Sequence, residues 1–81
     1  MTKREQVREF LTGLLESKDD PGPIGDDESL VLSGRLSSLD VVETLTFLES
    51  RFGYSMDPNE FDQAHFDSVD SIMALLSRPA P

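Results

Sequence analysis

Apolar residues in the first part of the chain return every three or four positions. Val7, Phe10, Leu11, Leu14 and Leu15 form one stripe, the spacing that lines a single face of an α-helix. Thr2 and Glu5 stand in the Thr-x-x-Glu relation of a capping box, which satisfies the orphan amides of a helix start. The run Lys18-Asp19-Asp20-Pro21-Gly22-Pro23 cannot continue the ladder, because proline has no amide hydrogen and glycine costs backbone entropy. The pattern predicts a helix over residues 2–17.

Residues 19–36 carry no helical period. A connection this long stays ordered in a small domain only when it is pinned, and Ile24, Leu30, Leu32 and Leu36 are the expected pins. A second helix is predicted over 38–52, with Ser37 and Asp40 as its cap and Asp40 suited to the positive end of the dipole. Val42, Leu45, Leu48 (or Glu49) and Phe52 trace its inward stripe, Val41 and Phe47 its margins, and Gly53 its stop. Asp57-Pro58-Asn59-Glu60-Phe61 joins a cap, a first-turn proline and a capping glutamate, predicting a short helix over 57–63. The last helix, 67–77, starts near Asp67 or Ser68, buries Val69, Ile72, Met73 and Leu76, and stops before Pro79. Strand patterning is weak, and there are no repeats or heptads. The expected class is all-α: a small bundle of three main helices and a short fourth, closed by one long ordered loop.

Composition narrows the function classes. A chain of 81 residues buries only about 60–65% of its unfolded surface, which leaves one modest core and no deep, dry catalytic cavity. The whole chain reads as a single domain. It has no cysteine, hence no disulfide, thiolate metal site or cysteine nucleophile, which suits a cytoplasmic location. Met1-Thr2-Lys3-Arg4-Glu5-Gln6 leads into an amphipathic segment, so a signal peptide is not expected. No apolar run nears the roughly 20 residues of a membrane span.

Sixteen acidic against seven basic side chains give a formal charge of -9. Lys3, Arg4 and Arg8 lie near the start, Lys18, Arg35, Arg51 and Arg78 are scattered, and Phe52 to Ser77 holds five carboxylates and no Lys or Arg. Such a surface repels phosphate backbones, so nucleic acid is not an expected partner. It attracts basic patches on proteins, an effect that salt screens beyond about 8–10 Å. The same charge favours a soluble monomer.

The position with chemical potential lies at the mouth of the second helix, in Gly34-Arg35-Leu36-Ser37-Ser38-Leu39-Asp40-Val41-Val42-Glu43. A hydroxyl held there is reachable by another protein, and the free amides and positive dipole end of a helix start suit a phosphate ester. Serines at helix starts are most often plain caps, so this motif taken alone fits either role.

The order of parts resembles the acyl and aminoacyl carrier proteins: a first helix, a long loop, a serine opening an acidic second helix, a short third helix and a closing fourth. The resemblance runs from near Lys3 to Ser77 and is sharpest in Leu30-x-x-Ser33-Gly34-x-Leu36-Ser37-Ser38-Leu39-Asp40-x-Val42-Glu43, continuing to Leu48-Glu49-x-x-Phe52-Gly53. It implies that Ser38 carries 4'-phosphopantetheine, installed from coenzyme A by a phosphopantetheinyl transferase. The carried group would be a thioester on the cofactor's own thiol, consistent with a chain lacking cysteine. It also implies partners with basic patches, namely an acyl- or aminoacyl-loading ligase or transferase and downstream biosynthetic enzymes. The docking residues it implies are Ser37, Leu39, Asp40, Glu43 and Glu49. The chain departs from the family's Asp-Ser-Leu triplet by placing Ser37 before Ser38. That removes a negative charge and sets two hydroxyls side by side, of which the Leu39-Asp40-x-Val42-Glu43 register favours Ser38.

Other features compete for a role. Val41, Phe47, Met56, Phe61 and Met73 fit either plain core or a crevice sheltering an attached chain, and the single histidine, His65, fits a surface or loop-packing role. A serine hydrolase needs a base on its nucleophile and an oxyanion hole; one distant His65 and the lack of a Gly-x-Ser-x-Gly elbow count against an enzyme. The acidic clusters Asp19-Asp20, Asp26-Asp27-Glu28 and Asp57-x-Asn59 do not form a calcium-loop pattern, so no metal site is expected. The segment from Asn59 to Val69 resembles the closing half of small stand-alone carriers, including those for D-alanine, at least as much as fatty-acid carriers. The leading expectation is a stand-alone carrier protein that is not an enzyme. The alternative is a small acidic helical adaptor that is never modified.

Overall fold

Local hydrogen bonding sets where each helix begins and ends. The computed structural model describes residues 1–20 and 22–77, with Pro58 taken as backbone only; Arg78 and the predicted stop before Pro79 lie outside the described residues. Helix α1 spans Lys3–Ser17. The Glu5 amide donates to the Thr2 hydroxyl at 3.1 Å and the Thr2 amide to the Glu5 carboxylate at 3.2 Å, completing the predicted box. At the other end Asp19 takes the left-handed conformation, φ 58°, and the Asp20 amide closes back onto the Leu15 carbonyl at 2.9 Å. Glycine is the usual residue at such a position.

Helix α2 spans Ser38–Phe52 and ends at Gly53 with φ 67°, where a glycine avoids the steric cost of a Cβ. Its buried face is Val41, Thr44 and Leu48. The predicted stripe holds at Leu48, which is buried, and at Leu45 and Phe52, which are half-buried against the core. It is exchanged at its start: Val41, placed at the margin, is fully buried, and Val42, placed inward, is 50% exposed. The cause is Thr44, whose hydroxyl donates to the Asp40 carbonyl at 2.8 Å. That internal bond lets a polar residue face the core with its hydrogen bond made.

The short helix expected over 57–63 is instead two 3₁₀ turns, Pro58–Glu60 and Gln63–Phe66. Two aspartates restart the chain in close succession. The Asp57 carboxylate accepts from the Asn59 amide and the Asp62 carboxylate from the Ala64 amide, each at 2.9 Å. Such side-chain bonds compete with a continuous helical ladder. Helix α3 spans Val69–Leu76, with Ser68 as its cap accepting from the Ser71 amide at 3.1 Å. Val69, Ile72 and Leu75 are buried, while Met73 and Leu76 are half-buried against the core.

Helix α1 packs against both α2 and α3, and the second 3₁₀ turn packs against α2 and α3. Phe66, fully buried, is the wedge that this turn drives between them. No periodicity marks this core residue, because it sits outside any helical repeat. The long loop is ordered by the predicted pins Ile24, Leu30 and Leu36, all buried. Leu32 is a correction, since it is 87% exposed, and its backbone does the pinning instead. One Asp67 oxygen accepts from the Leu32 amide at 3.0 Å, the Val31 amide at 2.9 Å and the Ser29 hydroxyl at 3.0 Å. Burial pushes the Asp67 carboxyl up, but the Leu32 amide, the Ser29 hydroxyl and the Val31 amide together hold it below the usual carboxylate range. Ion pairs complete the strap: Arg35 joins Asp20 at 3.0 Å and Glu28 at 2.6 Å, while Arg4 joins Asp26 at 3.0 Å and Asp70 at 2.7 Å.

Candidate functional site at the start of the second helix

The loop delivers the chain to α2 in a fixed direction. Leu36 is buried, and its amide donates to the Leu30 carbonyl at 2.9 Å. Ser37 then adopts the extended cap conformation, φ -88° and ψ 173°, and forms a full capping box with Asp40. The Ser37 hydroxyl accepts from the Asp40 amide at 3.2 Å and donates to the Asp40 carboxylate at 3.0 Å. The Ser37 amide donates to the same carboxylate at 2.8 Å. This hydroxyl is committed twice over, which separates the two neighbouring serines chemically: Ser37 is the cap, and Ser38, the first helical residue, points its hydroxyl out of the fold.

Ser38 is exposed. Its oxygen accepts a hydrogen bond from the Gln63 side-chain amide at 2.9 Å. Leu39, the next residue, is 67% exposed. Gln63 also lines a groove of about 310 Å³ beside the site, together with Val31, Leu32, Asp62, Ala64 and Asp67.

Asp40 is a correction to the predicted docking face. It is 7% exposed, because the capping box folds its carboxylate back onto the helix start and Lys18 pairs with it from the end of α1. Burial pushes the Asp40 carboxyl up, and Lys18 with the Ser37 amide and hydroxyl pulls it down further, leaving it below the usual range. Asp40 is therefore a buried anchor between α1 and α2. Glu43 and Glu49 are exposed as predicted, and with Leu39 and Val42 they give the outer face of α2 a mixed apolar and acidic surface.

The five crevice candidates divide. Val41 is sealed in the core. Phe47 stacks on Phe10 of α1 with ring centroids 4.3 Å apart. Phe61, 39% exposed, leans on Phe66 at 5.9 Å, and Met56 and Met73 are half-buried against the core. His65 is half-buried and lines a separate groove with Ala64, Ser71, Ala74 and Leu75, the loop-packing role expected of it. Among the described residues, no group of three or more histidine or acidic side chains is placed to hold a metal ion. No helix among them is long and apolar enough to cross a membrane.

Sequence reasoning missed Gln63 and Asp67. Both act through partners more than twenty-four positions away, and neither lies in a pattern that periodicity can expose.

No protein-family model matches the chain, and no curated protein matches it. Its structure is similar to the solution NMR structure of a holo acyl carrier protein from Nitrosomonas europaea. The two align over 94% of this chain and 93% of that one, with a TM-score of 0.70 and 26% sequence identity.

Proposed function

We infer, from the acyl-carrier-protein fold of this chain, the architecture of a carrier and not of an enzyme, that it carries an acyl or aminoacyl group on 4'-phosphopantetheine attached to Ser38. The single observation that carries this reading is the exposed Ser38 hydroxyl on the first residue of α2, beside a serine already spent as the cap. The residues fit such a group. The open end of α2 offers the positive dipole end to a phosphodiester anion. Lys18 neutralises the Asp40 carboxylate beneath it, so the nearest buried acid does not oppose the added charge. When attached, the arm supplies a terminal thiol that holds the carried group as a thioester.

Attachment needs a phosphopantetheinyl transferase and coenzyme A. The Ser38 oxygen bonds to the phosphorus that bears the pantetheine. The pyrophosphate P–O bond breaks, the adenine nucleotide leaves with its electron pair, and the hydroxyl proton passes to a base on the transferase. Leu39, Val42, Glu43 and Glu49 form the surface to which the transferase, a loading ligase or transferase, and downstream enzymes dock through basic patches. Ser37 lies at the edge of that surface, and its replacement of the family's aspartate leaves one charge fewer there. The chain is one carrier domain, working as a monomer in the cytoplasm. Its cargo belongs to a specialised pathway more than to bulk fatty-acid synthesis, a reading supported by the Asn59–Val69 segment.

The test is intact-mass measurement after incubation with coenzyme A and a broad-specificity transferase. One phosphopantetheine adduct is expected on the wild-type chain and on Ser37→Ala, and none on Ser38→Ala. A chain left unmodified by several transferases would instead be the acidic adaptor that binds basic partners directly.

A further inference from the structure

We propose that Gln63 is a positioning residue for the serine that is modified. Before attachment its side-chain amide orients the Ser38 hydroxyl, and after attachment the same N–H pairs with the phosphodiester. This rests on the carrier reading above and adds to it a residue 25 positions along the chain.

The geometry is simple. The Gln63 amide donates to the Ser38 oxygen at 2.9 Å. A serine hydroxyl has one proton and two lone pairs, and on an exposed helix start its rotor moves among staggered wells. With one lone pair held by the amide, the proton turns away from Gln63 and the second lone pair is left for an incoming phosphorus. The N–H also stabilises negative charge on the oxygen as its proton departs. Once the oxygen is esterified it becomes a poor acceptor, while the neighbouring phosphate oxygens carry charge and become strong ones. The flexible Gln63 side chain moves from one to the other without any shift of backbone.

The backbone beneath Gln63 is held for this task. Gln63 opens the second 3₁₀ turn, which Asp62 caps at 2.9 Å through the Ala64 amide, and the turn is fixed in place by fully buried Phe66. A purely structural purpose is a poor account of the contact, because both side chains are exposed and an exposed neutral bond contributes little to stability.

The experiment measures transfer kinetics on the full-length apo chain with coenzyme A and a broad-specificity transferase, for wild type, Gln63→Leu and Gln63→Glu. Unchanged melting temperatures establish that the variants fold. Gln63→Leu is expected to lower kcat by about threefold to tenfold, the rate equivalent of one neutral hydrogen bond, with KM for the carrier nearly constant. Gln63→Glu is expected to be slower still at low salt, where its carboxylate repels the incoming pyrophosphate. In wild type, the side-chain amide resonances of Gln63 are expected to move on conversion to the holo form. A wild-type kcat in Gln63→Leu, or a change confined to KM, overturns the positioning role. A Gln63→Glu variant as fast as wild type, or faster, shows the hydroxyl donating to residue 63, and overturns it also. Amide resonances that do not move overturn the second half. A wild-type chain that takes up no phosphopantetheine sinks the carrier reading itself, an outcome distinct from the others because no variant is needed to see it.

Discussion

Two adjacent serines at one helix start do different work because one hydroxyl is used up by its own backbone. Ser37 bonds the Asp40 amide and carboxylate, so its loss is a stability effect. Ser37→Ala is expected to lower unfolding free energy by about 0.5–2 kcal/mol, the usual cost of an N-cap, by denaturant titration, while still accepting the phosphopantetheine arm. Loss of labelling in that variant would mean the cap and the attachment point had been interchanged. Asp67 is the second residue whose worth lies in its partners, accepting three hydrogen bonds on one oxygen. Its folded pKa is lowered, so the stabilisation is fully present above the unfolded carboxylate value, about 3.9, and is lost as pH falls through the folded value. Asp67→Asn is expected to cost about 1–2 kcal/mol at neutral pH. The gap between variant and wild type should stay level above about pH 5 and close below about pH 4. A gap that widens on acidification would contradict the sign of this linkage.

At the scale of elements, the helix caps and the inward faces of α1 and α3 were readable in the sequence, while the start of the α2 face was not. Thr2 with Glu5, Ser37 with Asp40, and Gly53 all act within four residues of themselves, so their pattern survives whatever the fold does. The face of α2 depends on what packs there. Thr44 hides its hydroxyl on the Asp40 carbonyl, and a reading by polarity therefore sets Val42 inward in place of Val41. The short helix at 57–63 failed for a related reason: Asp57 and Asp62 both offer local caps, and two starts in close succession leave room only for 3₁₀ turns. The end of α1 carries a small strain of its own, since Asp19 is held at φ 58° without being glycine. Asp19→Gly is expected to raise stability by about 0.5–1 kcal/mol, measured by thermal and denaturant unfolding. Unchanged or reduced stability would mean that the Asp19 side chain contributes more than its backbone costs.

At the scale of the whole molecule, the net charge bears on the proposed docking more than on the fold. In the proposed carrier role, a formal charge of -9 would attract basic surfaces from a distance, and Glu43 sits exposed on α2, five residues after Ser38. Glu43→Lys is expected to slow transfer from cognate enzymes by about threefold to tenfold at low salt, with the defect shrinking as ionic strength rises. Equal slowing at every salt concentration would remove this face from the docking surface. The amino-acid sequence alone was enough to specify the three main helices, their caps, the acidity and the serine at the start of the second helix, because these follow from residue type and from contacts a few positions apart. Tertiary structure alone decided that Asp40 is buried under Lys18, that Asp67 straps the loop, and that Gln63 reaches Ser38. Each of those depends on side chains far apart in sequence that meet only in the folded chain, where α1 packs on α2 and the turn carrying Phe66 packs against α2 and α3.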